Sequence, residues 1–390
     1  MTPSERIGAF LLFGLLATAA WPVTEADRLA NDRYSALARI AEMDGKVDEA
    51  MANYDKALEL DPADAISYNA RGGLKLRKKD FTGAVADYDR AIALKPAANI
   101  DVVYGNRGFA KHQLDDLDGA IADYSQVIAR KPDEALPYNN RGYARLTKGD
   151  FDGAIADYTK AITLQPDVIK FRDNLANARR DKGDFAGAIS DYDKIVGLEP
   201  DLPLHYLSRG NLKQLKDDFD GAIADYNKVI ELRPQSWGGY LQRGTAWQAK
   251  GDLTAAFTDY DMAVTVTQND VFFGWAYREI VRRQLRPGTP NSTLAPIVAK
   301  WPAGLPKNIG LYLTGTLSEP DFLSQAGQGV AQTVSGRQCV AFYFVGMNRL
   351  LAGDKAAARK FFEQSIATKR VDATEFVLAR TELARLAKSP

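Results

Sequence analysis

Three asparagines, Asn106, Asn140 and Asn174, follow one another at intervals of 34 residues. Each offers a donor and an acceptor on one short side chain, so a row of them can bind a peptide main chain whatever its sequence. Asn69, Asn139, Asn177 and Asn211, with the rings of Phe109 and Tyr143, fall on the same kind of segment. Other chemistry is poorly supplied. Cys339 is the one cysteine, which excludes an intrachain disulfide and a cysteine-based zinc site. His112 and His205 lie far apart, neither with a second histidine nearby to make a ligand pair. No glycine-rich phosphate loop occurs, and the acidic residues recur with the same period as the asparagines, as turn and surface residues do. The expectation is a non-enzymatic protein with no cofactor and no metal.

The elements that position these residues are written in one repeated line. "FTGAVADYDRAIALKP" (81–96), "LDGAIADYSQVIARKP" (117–132), "FDGAIADYTKAITLQP" (151–166), "FAGAISDYDKIVGLEP" (185–200) and "FDGAIADYNKVIELRP" (219–234) are amphipathic helices closed by proline. The prolines Pro62, Pro96, Pro132, Pro166, Pro200 and Pro234, with Gln268 in phase, are 34 residues apart save one step of 36. Every copy has an alanine at a fixed place, such as Ala154, and a tyrosine four residues on, such as Tyr158. A small residue, such as Gly142, precedes the alanine by twelve. A period of 34 with this signature resembles the tetratricopeptide repeat, a helix–turn–helix unit. The resemblance implies an all-α fold, a right-handed tetratricopeptide superhelix, or α-solenoid, of seven repeats over 29–268. A broken helical insert follows at 269–338, then an eighth repeat and a capping helix at 339–390.

In this reading the first helix of each repeat carries glycine and the second alanine, so Gly142 is expected against the second helix of its own repeat, near Ala154, with the tyrosine filling the space beside them. Five repeats place arginine before the glycine and aspartate before the tyrosine, as in Arg141 and Asp157. Antiparallel helices bring these positions together, and a partly exposed pair is worth about 0–1 kcal/mol. The asparagines resemble the ladder of superhelical tetratricopeptide proteins that hold extended peptides. That makes Asn69, Asn106, Phe109, Asn139, Asn140, Tyr143, Asn174, Asn177 and Asn211 the expected peptide groove, and a protein or extended peptide the expected partner.

Fifty basic and fifty acidic side chains give no net charge, so nucleic acid is not an expected partner. Residues 269–390 hold 16 Lys/Arg against 9 Asp/Glu, so the tail is basic and the array acidic. This asymmetry suggests a homodimer. The first 23 residues have a polar start with Arg6, an uncharged run over 7–23 and the small-x-small triplet Ala17-Thr18-Ala19. They read as a signal peptide for export to the periplasm, or as an uncleaved anchor that holds a scaffold facing the cytoplasm at the inner membrane. A buried helix is the third reading.

"LYLTGTLSEPDFL", "FYFVGMNRLLAGDKAAARKFFEQSI" and the helix holding Glu375 and Leu383 resemble the C-terminal part of NlpI-type periplasmic tetratricopeptide lipoproteins. That family supplies homodimeric adaptors which dock a periplasmic protease and its cell-wall hydrolase clients. The lipoprotein cysteine is missing, since residues 1–40 contain none, so lipidation is excluded and no functional residue carries over.

Overall fold

The computed structural model describes residues 23–94, 99–267, 272–288, 294–371 and 373–388. The leader segment, Pro96 and Gln268 therefore lie outside the described residues. Those described are helical, with no strand among them, and fall into two compact units, residues 1–167 and 168–390. The first holds α1 (Glu25–Met43), α2 (Val47–Leu60), α3 (Ala65–Arg77), α4 (Phe81–Ala93), α5 (Ile100–Gln113), α6 (Leu117–Arg130), α7 (Ala135–Lys148) and α8 (Phe151–Leu164). The second opens with α9 (Ile169–Lys182), α10 (Phe185–Leu198), α11 (Pro203–Leu215), α12 (Phe219–Leu232), α13 (Trp237–Lys250) and α14 (Leu253–Val266). It continues with α15 (Phe272–Leu285), α16 (Leu294–Ala299), α17 (Leu305–Leu313), α18 (Glu319–Ala326), α19 (Ala331–Leu351), α20 (Lys355–Ala367) and α21 (Thr374–Lys388). Among the described residues no helix is long and apolar enough to cross a membrane.

Local chemistry sets the boundaries. The second helix of a pair starts behind an aspartate whose carboxylate accepts the N–H three residues on, as Gly153 N to Asp150 Oδ1 at 2.9 Å. It stops two residues before proline, because the residue before proline is driven out of the helical region. Gln165, for example, sits at φ −139° and ψ 83°. Between the helices the turn needs a left-handed residue. Gly149, Gly183 and Gly251 supply it without strain, whereas Lys79, Asp115 and Asp217 adopt it at φ near +60°.

The glycine of the first helix lies against the second helix of its own repeat, as expected, with the tyrosine ring as its nearest neighbour. A Cβ at Gly142 would lie 3.0 Å from Tyr158 Cε1, and one at Gly210 only 2.7 Å from Tyr226 Cε1. Ala154 and Tyr158 are fully buried, so the ring has no room to retreat. Gly142→Leu is expected to lower stability by about 1–3 kcal/mol through overpacking. Chemical denaturation checks it, and an unchanged midpoint would refute the contact.

The arginine–aspartate pairs are bidentate and partly exposed on the arginine side, at 15–22%, with the aspartate buried. Arg209 donates from Nε and Nη2 to the two oxygens of Asp225 at 3.0 and 2.6 Å, and from Nη1 to Asp193 Oδ1 at 2.8 Å. Asp193 lies on α10, in the preceding repeat, so one guanidinium ties its own second helix to that of its neighbour. Arg71 and Arg107 do the same in the first unit, through Asp55 and Asp89. Where arginine is replaced by Leu175, Asp191 keeps Arg179 Nη1 at 2.6 Å, and burial pushes its carboxyl above the ordinary value.

In the second unit the apolar core continues through α15–α20, with Tyr277 stacked on Tyr260 at 5.5 Å and on Phe344 at 5.7 Å. The closing helix α21 lies across the ends of two first helices of the array. Arg380 Nη2 donates to Leu215 O at 3.1 Å, and Arg385 Nη2 to Gln248 O and Ala249 O at 2.7 Å each. These carbonyls belong to the last turns of α11 and α13, where the helix runs out of N–H donors; Gln248 O also accepts the Gly251 N–H at 3.0 Å.

Candidate binding surface

On a helix, residues at i, i+3, i+4 and i+7 share one face. In α7 the buried residues are Ala135, Pro137, Gly142 and Ala144. Between the Ala135/Gly142 side and the Pro137/Ala144 side runs a stripe of Leu136, Asn139, Asn140 and Tyr143, with Leu136 61% and Tyr143 51% exposed. Helix α5 repeats it with Val102, Gly105, Asn106 and Phe109; Val102 and Phe109 are each 46% exposed. Helix α3 carries Ile66, Asn69, Ala70 and Gly73, with Ile66 69% exposed. None of these twelve positions is charged, although 26% of the chain is. The first unit as a whole is acidic, with 21 Lys/Arg against 26 Asp/Glu over residues 1–167.

The stripes adjoin. The ring of His112 lies 5.0 Å from that of Tyr143, and His112 Nε2 is 3.4 Å from Thr147 Oγ1, which joins α5 to α7. Burial holds the His112 imidazole below its ordinary pKa, so it is neutral at pH 7. Phe109 meets Phe81 edge-on at 6.5 Å. Helices α3 and α5 approach within 8 Å, Cα to Cα. The aliphatic row Ile66, Val102 and Leu136 was not among the residues singled out from sequence. Its signal was present, because each lies six residues before the packing glycine.

The nine sequence-derived groove residues divide between the units. Asn69, Asn106, Phe109, Asn139, Asn140 and Tyr143 belong to the first unit and share its stripes. Asn139 Nδ2 donates to Asn140 Oδ1 at 3.2 Å, Asn106 lies beside the Tyr88 hydroxyl, and the buried Asn69 Oδ1 has no hydrogen-bond partner. Asn174, half-buried on α9, belongs to the second unit with Asn177 and Asn211. Asn211 Oδ1 accepts the Tyr226 hydroxyl at 2.8 Å, so part of its capacity is used within its own repeat. Asn177 and Asn211 line a cavity of about 170 Å³ that α21 closes with Thr374 and Val377. Val377 packs with Tyr192, Leu212 and Leu215. In the second unit the chain thus covers part of this face with its own C-terminal helix. Among the described residues no group of three His, Cys, Asp or Glu is placed to hold a metal ion.

Comparison with known proteins agrees with the repeat. Models of the tetratricopeptide repeat match residues 44–78, 102–134, 135–168 and 206–236. No curated protein matches. Solved structures similar to the chain include MamA (41-end) of Desulfovibrio magneticus RS-1, 21% identical over 44% of this chain and 96% of that one, with a TM-score of 0.42. A tetratricopeptide repeat protein of Parabacteroides merdae is 16% identical over 65% and 99%, with a TM-score of 0.46. The C-terminal part of a repeat-containing protein of Cytophaga hutchinsonii is 16% identical over 78% and 96%, with a TM-score of 0.47.

Proposed function

From a chain that is a tetratricopeptide-repeat α-solenoid, a fold whose members are generally non-catalytic scaffolds, we propose a non-enzymatic adaptor that holds an extended segment of a partner protein on the first-helix face of its first unit. The observation that carries this reading is the recurrence of exposed aliphatic and aromatic side chains, in phase, on α3, α5 and α7. Folding leaves these residues unburied while their helices bury the sides that flank them, and apolar surface gathered in this way marks an interaction site. The asparagines between them supply main-chain hydrogen bonds.

The adaptor works in the cell envelope of a bacterium, exported by residues 1–23. The second reading is a scaffold anchored in the inner membrane by residues 7–23 and facing the cytoplasm, where it assists assembly of a larger complex. The charge asymmetry and the NlpI-like C-terminal motifs support a homodimer. Phe109→Ala with Tyr143→Ala tests the binding reading. Both residues are half exposed and outside the core, so the fold should persist. Capture of a partner from the native compartment should fall about tenfold, as expected when two interface anchors are lost. Undiminished capture by the folded variant would refute the site.

A further inference from the structure

We infer that the segment held on α3, α5 and α7 is uncharged and extended, with an apolar side chain at every third residue; this rests on the binding reading above and names its partner class. The absence of charge comes first. Twelve stripe positions without a charged side chain, in a unit with a surplus of acid, offer no counter-ion to a charged ligand. A charged residue seated there would lose hydration with nothing to replace it. Neutral, apolar side chains match the aliphatic row.

The spacing comes second. Packed helices lie about 8–10 Å apart; α3 approaches α5, and the His112 and Tyr143 rings join α5 to α7, so Ile66, Val102 and Leu136 are expected to present one aliphatic contact per step of that size. An extended chain advances about 3.1–3.4 Å per residue, and three residues therefore cover one step. A helix lying across the same row also fits, since seven residues advance about 10.5 Å. The carboxamides decide between them. Asn106 and Asn140 lie beside the aliphatic row, and only an extended chain has free main-chain N–H and C=O groups to meet them; a helix has spent its own.

A random peptide library selected on the whole chain provides the test. Selected sequences should be uncharged, with aliphatic or aromatic residues at i, i+3 and i+6. A synthetic peptide with one such sequence should bind about tenfold more tightly than an isomer whose apolar residues are moved to every second position. Its affinity should be nearly the same at about 50 mM and about 500 mM salt. Val102→Asp and Leu136→Asp should each weaken it about tenfold or more. Leu204→Asp, in the same phase but on the second unit, should leave it unchanged. Binders that depend on Val102 and Leu136 yet are charged, salt-sensitive or indifferent to the spacing would overturn the inference and leave the adaptor surface standing. A library without binders, or binders untouched by Val102→Asp and Leu136→Asp, would remove both.

Discussion

Arg243→Met should lower stability by about 3–5 kcal/mol. The guanidinium donates to Asp259 Oδ2 at 2.8 Å and Oδ1 at 2.6 Å, and to Asn227 Oδ1 at 2.7 Å. The Asp259 side chain is only 4% exposed, and Arg243 is the one cation shown paired with it. Removing the arginine leaves a buried carboxylate with neither counter-charge nor water, which costs more than the intact pair contributes. Adding Asp259→Leu to the same chain should recover most of the loss, because the charge that needed a partner is then gone. Denaturant midpoints of the two single variants and the double variant form the check. A loss below about 1 kcal/mol in Arg243→Met would place the pair in the surface class instead.

Ending the chain at residue 373 should damage the second unit more than any single substitution. It removes α21, whose Val377, Leu378 and Leu386 are buried, together roughly 5–8 kcal/mol of apolar burial. It also strips Arg380 and Arg385 from the carbonyls of α11 and α13. Thermal unfolding should show the second unit melting well before the first, and a native-like profile would contradict the assignment of α21 to that core.

One residue of α21 adds a pH signature. Glu375 is wholly buried and accepts a hydrogen bond from the Tyr277 hydroxyl, and burial raises its carboxyl above the usual range. A carboxyl raised in the folded state adds stability below its unfolded value, and loses it as pH rises through the folded one. Glu375→Gln keeps an acceptor for Tyr277 without the charge. It should therefore be more stable than the native chain at neutral pH, with the gap closing as pH falls toward 4.5, the ordinary value.

The repeat was legible because it is local. Aspartate, glycine, alanine, tyrosine and proline each act within one helix pair, by capping, close approach, packing and termination, and 34 residues hold all of it. The glycine contact was legible as a close approach of two helices. Ala154 and Tyr158 are one helical turn apart, and the packed pair adds that the ring is the nearest neighbour of Gly142. The strength of the arginine–aspartate pairs depends on burial, which a single repeat does not express. The seat of α21 lay beyond the sequence altogether, since Arg380 meets Leu215 across 165 residues with no period to announce it.

For the binding surface, the phase that selects Asn106 and Asn140 also selects Val102 and Leu136, four residues earlier. Apolar residues on a helix are ordinarily core, so nothing in their type marks these as exposed. Asn211 shows the converse. Its position fits the groove, but the Tyr226 hydroxyl takes its carbonyl oxygen, a contact that phase alone does not reveal.

Partner protein is expected on the first-helix face of the first unit. Site-specific photo-crosslinking in the native compartment tests it most directly, with a photoreactive residue at Leu136 in one chain and at Lys160, exposed on α8, in another. A discrete crosslinked partner is expected from position 136 and none from 160. Crosslinking from 160 with none from 136 would contradict it.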